Sequence, residues 1–211
     1  MKKIILFAVL VTIAAASLSA KTTVNKSIHI QEGEHISGGC SSVNGSIVVD
    51  DGAQVTGGCK TVNGSITVAR DCKVRSLKSV NGGIRVEEGT RVSSDIETVN
   101  GSIQCEQGVH INGDVETVNG ALKLRGTEVE DNVTTYNGSI SLTHGSVVHQ
   151  DIIVKDSKGH NNRREPLRII IDDSIVEGDI INREDDIEVI VTLRNGAQVR
   201  GDIIDAQIEK E

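Results

Sequence analysis

The dipeptide Asn-Gly recurs along this chain at a nearly constant interval. The copies that form this regular series begin at positions 44, 63, 81, 100, 119 and 137, and an Asn-Lys pair begins at position 25. A repeat of about 20 residues with a fixed turn is typical of a solenoid, in which each repeat is one coil stacked on the last. Because Asn and Gly both tolerate positive φ, we expect that conformation at this corner. We interpret the asparagines as a structural ladder: Asn25, Asn44, Asn63, Asn81, Asn100, Asn119 and Asn137.

Apolar residues recur in register with the dipeptide. Val43, Val49 and Val55 follow one another at steps of six, and Val62 and Val80 begin the same series in the next two coils. Apolar residues two apart share one side of a strand. Each coil would contain three short strands, and each strand would direct a pair of apolar side chains into a common core. This pattern predicts a triangular, single-stranded parallel β-helix. We expect an all-β fold of about nine coils, with about 19 residues in each coil.

Two aspects of this prediction have alternatives. Asn-Gly between alternating residues is also a strong hairpin signal, which would give an antiparallel meander. Hairpins would not require the same residue type at steps of six, so the solenoid is favoured. Parallel connections are generally right-handed, although hexapeptide-repeat coils are left-handed. Large residues such as Ile47 and Ile66 at the fifth hexad position favour the right-handed form.

The segment 1–20 resembles a secretory signal peptide. Two lysines are followed by a short apolar run and then by small residues near Ala20. The apolar run is too short to span a bilayer, which needs roughly 20 apolar residues. We therefore expect an exported protein, periplasmic or extracellular, with no transmembrane segment in the mature chain. The solenoid is expected over residues 21–204, followed by an acidic tail at 205–211.

Charge and composition narrow the function classes. Without the two leader lysines, 20 basic residues remain against 30 acidic ones, a net charge of −10. This charge argues against nucleic acid as a partner. One Phe, one Tyr and no Trp leave few aromatic platforms for sugars or bases. We expect no cofactor.

The repeat is interrupted at one place and altered at one end. A polar insertion at residues 155–167 is the one sizeable loop, and loops on rigid scaffolds often carry function. It is either a tolerated surface insertion or an interaction loop, in which Arg163 and Arg164 would favour an anionic group and His160 would titrate. The last coils are rich in Ile, and several of these side chains must point outward. Uncapped coil ends are open edges that invite end-to-end association.

Four cysteines and six histidines carry the remaining chemistry. Cys40 and Cys59 share an inward column in adjacent coils, about 4.8 Å apart, so they are either a disulfide or two buried thiols. Cys72 and Cys105 fall in different columns and are expected to be buried free thiols. His35 shares an outward column with His110, but four coils separate them. We expect no metal site and no catalytic residue.

Two families are similar to these coils. The phrases Asp-Ser-Ile-Val-Glu-Gly-Asp-Ile, ending at Ile180, and Asn-Gly-Ala-Gln-Val-Arg-Gly-Asp-Ile, ending at Ile203, resemble the coils of bactofilins. The Val-Asn-Gly-Ser-Ile coils resemble exported β-strand-repeat proteins described as putative adhesins. The bactofilin resemblance implies a right-handed triangular β-helix that polymerises through its ends without nucleotide. The predicted signal peptide at residues 1–20 is a difference from that family, because typical bactofilins act at the cytoplasmic face of the membrane.

Three function classes follow. The first is a non-enzymatic structural or self-assembling protein of the bacterial cell envelope, with itself or other envelope components as partners. The second is a surface adhesin or binding module that uses a flat solenoid face. The third is a β-helix enzyme of the polysaccharide lyase or acyltransferase type. A lyase would need charged residues grouped on one face, and an acyltransferase would need a cytoplasmic acyl donor. We therefore expect no enzymatic activity.

Overall fold

The chain forms a parallel β-solenoid, as the periodicity predicts. The structure is a computed structural model that describes residues 20–156 and 165–210. Within these residues there are 27 strands and no helix. In chain order the strands are β1 (Lys21–Thr23), β2 (Ile28–Ile30), β3 (His35–Ile36), β4 (Cys40–Ser42), β5 (Ile47–Val49), β6 (Gln54–Thr61), β7 (Ile66–Val68), β8 (Lys73–Ser79), β9 (Ile84–Val86), β10 (Arg91–Val92), β11 (Ile96–Thr98), β12 (Ile103–Cys105), β13 (His110–Ile111), β14 (Val115–Thr117), β15 (Leu122–Arg125), β16 (Glu128–Val129), β17 (Val133–Thr135), β18 (Ile140–Thr143), β19 (Val147–Val148), β20 (Ile152–Val154), β21 (Leu167–Asp172), β22 (Ile175–Val176), β23 (Ile180–Asn182), β24 (Val189–Arg194), β25 (Gln198–Val199), β26 (Ile203–Ile204) and β27 (Gln207–Lys210).

The strands stack into three faces through parallel pairings. Face 1 is the ten-stranded sheet β2-β5-β7-β9-β12-β15-β18-β21-β24-β27. Face 2 runs from β3 through the first halves of β6 and β8 to β10, β13, β16, β19, β22 and β25. Face 3 runs from β1 and β4 through the second halves of β6 and β8 to β11, β14, β17, β20, β23 and β26. At a strand spacing of about 4.8 Å, the rod is on the order of 40 Å long.

The fold has about ten turns, where nine coils were expected. The tenth strand of face 1 is β27, which pairs with β24 inside the segment assigned by sequence to an acidic tail. In that segment Ile208 is the residue in register with the buried Val191. Two apolar residues, Ala206 and Ile208, among polar and charged ones give little periodic signal, which is why the last coil was missed.

The core is a stack of identical apolar columns. On face 1, Ile47 pairs in register with Ile66, and Val49 with Val68, and all four are completely buried. Ala53 and Cys59, four residues after steps of the hexad series, are also completely buried. Aliphatic side chains of the same type, stacked at the strand spacing, fill this core. It therefore does not need the aromatic side chains that fill irregular cores.

One column of the hexad series was assigned wrongly. Val43 and Val62 are half-buried, and the residues before them, Ser42 and Thr61, are the ones in the core, each 2% exposed. A buried hydroxyl needs a partner, and the Thr61 Oγ1 donates to the carbonyl of Gly45 at 2.8 Å. The equivalent Ser or Thr of later coils repeats this bond. These four hydroxyls tie the corners at Gly45, Gly64, Gly82 and Gly101 to the coil after each of them.

Candidate functional site

The asparagine corner is a continuous chain of amide hydrogen bonds. The Nδ2 of each Asn donates to the Oδ1 of the Asn one coil earlier, from Asn44 to Asn25 at 2.8 Å through to Asn137 to Asn119 at 3.0 Å. The seven predicted positions all take part. Because each amide is both donor and acceptor, identical side chains stacked in register satisfy one another. The ladder supports the coil register at the surface.

The glycine of Asn-Gly is required for a reason that the sequence did not suggest. Positive φ was expected at this corner, but no Asn-Gly pair of the ladder has it; in the described chain positive φ occurs at other positions, such as Gly52 and Gly108. A Cβ on Gly101 would instead overlap the carbonyl oxygen of Gly82. The same close approach occurs at Gly64. The glycine therefore provides space for the stacked backbone, so the conformational explanation was wrong.

A second polar ladder runs along the corner between faces 2 and 3. Asp114 accepts a hydrogen bond from the backbone N–H of Asn132 at 3.0 Å, and Asn132 accepts one from the N–H of Asp151 at 3.2 Å. Asp151 and Asp179 continue the series. This ladder was not predicted, although the sequence carries a signal for it, since Asp precedes the inward Ile or Val of face 3 in several coils. At this corner the backbone N–H groups do not pair with a neighbouring strand. The side-chain oxygens of the column accept their hydrogen bonds instead.

The four cysteines lie where the register places them. Cys40 and Cys59 pair across β4 and β6 and are joined by a disulfide, with their Cα atoms 4.5 Å apart. Cys72 and Cys105 are free and buried. Burial raises the pKa of both thiols, so neither is a reactive thiolate at neutral pH.

Charged side chains from four coils meet on the outer side of face 2. His110 Nδ1 lies 3.0 Å from Glu128 Oε2, and its Nε2 lies 3.4 Å from Glu130 Oε1. His149 Nε2 lies 3.0 Å from the other oxygen of Glu128, and its Nδ1 lies 2.9 Å from Glu177 Oε2. The group formed by His110, Glu128, Glu130, His149 and Glu177 is called the His–Glu cluster below.

Hydrogen bonds within the His–Glu cluster shift its titration. The bonds to Glu128 and then to Glu177 raise the pKa of His149 above its ordinary value of 6.5. The bonds from His149 and then His110 lower the pKa of Glu128, and the bond from His149 lowers that of Glu177. Both carboxyl groups are therefore ionised at neutral pH and present anionic oxygens to the two imidazoles.

The His–Glu cluster is not among the sites predicted from the sequence. His35 and His110, which were expected to share a column, do lie in one column, four coils apart. The partners of His110 come from the next coil, and His149 comes from the coil after that. Reading every charged residue against the coil register, rather than the histidines alone, would have found them.

The first coil has an ionic pair across its core. Lys21 occupies the same inward column as Cys40. Its Nζ reaches across the triangle to the carbonyl of His29 at 3.2 Å and to Glu34 at 2.7 Å. The bond from Lys21 lowers the pKa of Glu34. The structure thus places a charged pair over the core column at this end.

The last coil has apolar residues in the equivalent positions. Val199 and Ile203 lie in the columns of the buried Val176 and Ile180, but are themselves only partly buried. Ile208, in the column of Val191, is 50% exposed, and the neighbouring Ile204 is 39% exposed. The expected outward Ile side chains are also present, since half-buried positions are occupied by Ile170, Ile175 and Ile181.

The remaining candidates predicted from the sequence lie in the insertion at residues 155–167. His160, Arg163 and Arg164 of the insertion lie outside the described residues, so their interaction role stays a prediction. One shallow depression lies beside the asparagine corner, without His, Cys or Lys in its lining: Ser79, Glu97, Thr98, Val99, Glu116 and Val118. Among the described residues, none belongs to a helix that could cross a membrane.

Known proteins give no further guide to this architecture. Family models, curated protein sequences and solved structures were compared with the chain, and none of the three comparisons finds a match. The resemblance of its coils to bactofilins and to putative adhesins therefore stays a prediction from short sequence phrases.

Proposed function

We propose that this protein is a non-enzymatic structural protein of the bacterial cell envelope that self-associates through the C-terminal end of its solenoid. The observation that carries the proposal is the apolar last coil, where Ile208 and Ile204 are exposed, whereas few other large hydrophobic side chains of the described chain are. Exposed apolar residues beside the final strands β25, β26 and β27 combine two features of association surfaces, apolar area and a strand edge.

The two ends of the solenoid differ in how favourable it is for a partner chain to cover them. At the first coil, a partner would have to cover the Lys21–Glu34 pair, which costs desolvation of two charges. At the last coil, it would cover Ile204 and Ile208, which favours association. An apolar end is best complemented by another apolar end, so the proposed partner is a second copy joined by a two-fold axis. The envelope location rests on the predicted leader.

Sedimentation velocity on the purified protein tests this proposal. We expect the wild type to sediment as two chains and Ile208→Lys as one, because the lysine would place a charge in the interface. Val199→Lys, in the core column of the same end, should also give one chain. Val24→Lys is the matched control, since Val24 is 48% exposed but lies in the first coil. Circular dichroism establishes that each variant retains its strands.

The outcomes separate the arrangements. Loss of association in Ile208→Lys and Val199→Lys, with Val24→Lys still sedimenting as two chains, supports pairing of C-terminal ends. Loss in both Ile208→Lys and Val24→Lys would indicate head-to-tail stacking, and electron microscopy would then show filaments instead of paired rods. A wild type that sediments as one chain would contradict self-association.

A binding module that uses a flat face is the alternative. It is favoured by the three stacks of nine or ten strands, whose outward side chains form regular rows. Binding of a surface polysaccharide or matrix protein by rods that sediment as single chains would support this alternative over self-association.

A further inference from the structure

The His–Glu cluster brings nitrogen and oxygen donors together on a rigid surface. Glu128 and Glu130 are two residues apart on one strand line, so both side chains leave the same side of face 2. His110 lies in register with Glu128 in the preceding coil. His149 follows the pair Val129–Val148 and so lies beside Glu130 in the following coil. One imidazole therefore approaches the two carboxylates from each side.

The spacing of these donors is that of ligands around one small cation. The nearest donor atoms of His110, Glu128 and Glu130 all lie within 4.8 Å of one another. Zinc bonds of about 2.0–2.2 Å bring the ligand atoms of a tetrahedral site to about 3.5 Å apart. The 3.4 Å between His110 Nε2 and Glu130 Oε1 already has this value. His149 lies outside this group of three, but its Nε2 is 3.0 Å from Glu128 Oε1, so a movement of its side chain toward the group would add a second nitrogen.

The charge of the cluster also favours a divalent cation. Its three carboxylates are offset by Arg200, which donates to Glu177 at 2.6 Å, so the local charge is −2 with neutral imidazoles. Arg91, which lies next to His110 in its column one coil earlier, adds one positive charge nearby, so the surroundings stay net negative. The two imidazoles are only 21% and 29% exposed, so their positions are restricted by packing and by the strand hydrogen bonds beneath them.

We propose that His110, Glu128, Glu130 and His149 bind one zinc ion. Two imidazole nitrogens with two carboxylate oxygens suit Zn²⁺ and similar divalent transition metals, whereas Mg²⁺ and Ca²⁺ prefer sites made of oxygen alone. The ion would replace the His110–Glu130 and His149–Glu128 contacts and would link three successive coils. Glu177 would keep its bond to His149 Nδ1 and so orient that ring, as carboxylates beside metal-bound histidines commonly do.

Calorimetric titration of zinc into untagged protein, freed of metal with a chelator, tests the site. We expect one ion per chain in the wild type, and an affinity at least about tenfold weaker in His110→Gln and in His149→Gln. His35→Gln is the matched control, because it lies in the same column as His110 but four coils away. Circular dichroism of each variant establishes folding.

Thermal unfolding provides a second measurement. Zinc should raise the unfolding temperature of the wild type and of His35→Gln by more than that of His110→Gln at the same zinc concentration, because an ion that binds only the folded state stabilises it in proportion to its affinity. Magnesium should have no such effect. Absence of saturable zinc binding would overturn the proposal, as would equal binding by His110→Gln and His35→Gln.

Discussion

The Cα atoms of Cys40 and Cys59 lie 4.5 Å apart because the two residues occupy the same inward position of successive coils, and a disulfide joins them. The bond closes a loop with a sequence separation of 19 at the beginning of the rod. It joins β4 to β6, and four residues further along each coil the asparagine bond from Asn63 to Asn44 joins the same pair of coils. The covalent link therefore reinforces contacts that backbone stacking already makes.

Reduction of this disulfide should destabilise the protein by about 3 kcal/mol, because the reduced unfolded chain regains the entropy that the loop restricts. The measurement is urea denaturation with and without a reductant. The double variant Cys40→Val/Cys59→Val is the control, and its stability should not respond to reductant. Alkylation of the unreduced, unfolded wild type should label two cysteines; labelling of all four would contradict the bond.

The glycine at the asparagine corner gives a second prediction. Gly101→Ala should cost about 3 kcal/mol or more, because the new Cβ would meet a backbone oxygen that cannot move alone. Gly52→Ala should cost less, about 1–2 kcal/mol, because its φ is +68° but nothing lies within 4 Å of the added Cβ.

Substitution by asparagine at the same two positions distinguishes a requirement for positive φ from a requirement for space. Asn adopts positive φ more readily than Ala, so Gly52→Asn should be more stable than Gly52→Ala. At Gly101 the clash is the same for any Cβ, so Gly101→Asn should be no more stable than Gly101→Ala. Recovery of stability by Asn at Gly101, measured by urea denaturation, would contradict the close-approach explanation.

The asparagine ladder should contribute a small amount per bond. Asn100→Ala removes two side-chain hydrogen bonds, one to Asn81 and one from Asn119. We expect a loss of about 1–2 kcal/mol in the free energy of unfolding. Asn25→Ala is the control, since among the ladder bonds it removes only the one from Asn44 and should cost about half as much. Equal losses in the two variants would show that the amide bonds are not the cause.

The His–Glu cluster should make stability depend on pH. The raised pKa of His149 means that its stabilising effect is complete below pH 6.5 and is lost as the pH rises through the folded-state value. The lowered pKa of Glu128 acts in the opposite direction, since its contribution is present above pH 4.5 and is lost in acid. The contribution of the cluster is therefore greatest between these two values.

Thermal unfolding between about pH 6 and pH 9, with a chelator present, measures this effect. The unfolding temperature of the wild type should fall relative to that of His149→Gln as the pH rises. His35→Gln should follow the wild type, because its imidazole lies outside the cluster. Parallel curves for the wild type and His149→Gln would exclude a contribution from His149.

Much of the fold could be predicted because a solenoid repeats its local rules. The positions of Ile47, Ile66 and Ile84 are set by the same spacing from the Asn-Gly dipeptide, so one correct coil gives the others. The adjacency of Cys40 and Cys59 follows from the same spacing. The last coil was missed because Ile208 is the one large apolar residue in a charged segment.

The sequence by itself determined the stacking of coils, since like residues at a fixed interval can form columns only in a parallel stack. The tertiary structure decided what each corner position does. Only the close approach of Gly101 to Gly82 shows that glycine is needed for space and not for positive φ. Only the register shows that Thr61 lies inside the core and Val62 at its edge. The His–Glu cluster is likewise a product of stacking, because coils of nearly constant length bring His110 and His149 to the same carboxylate from opposite sides.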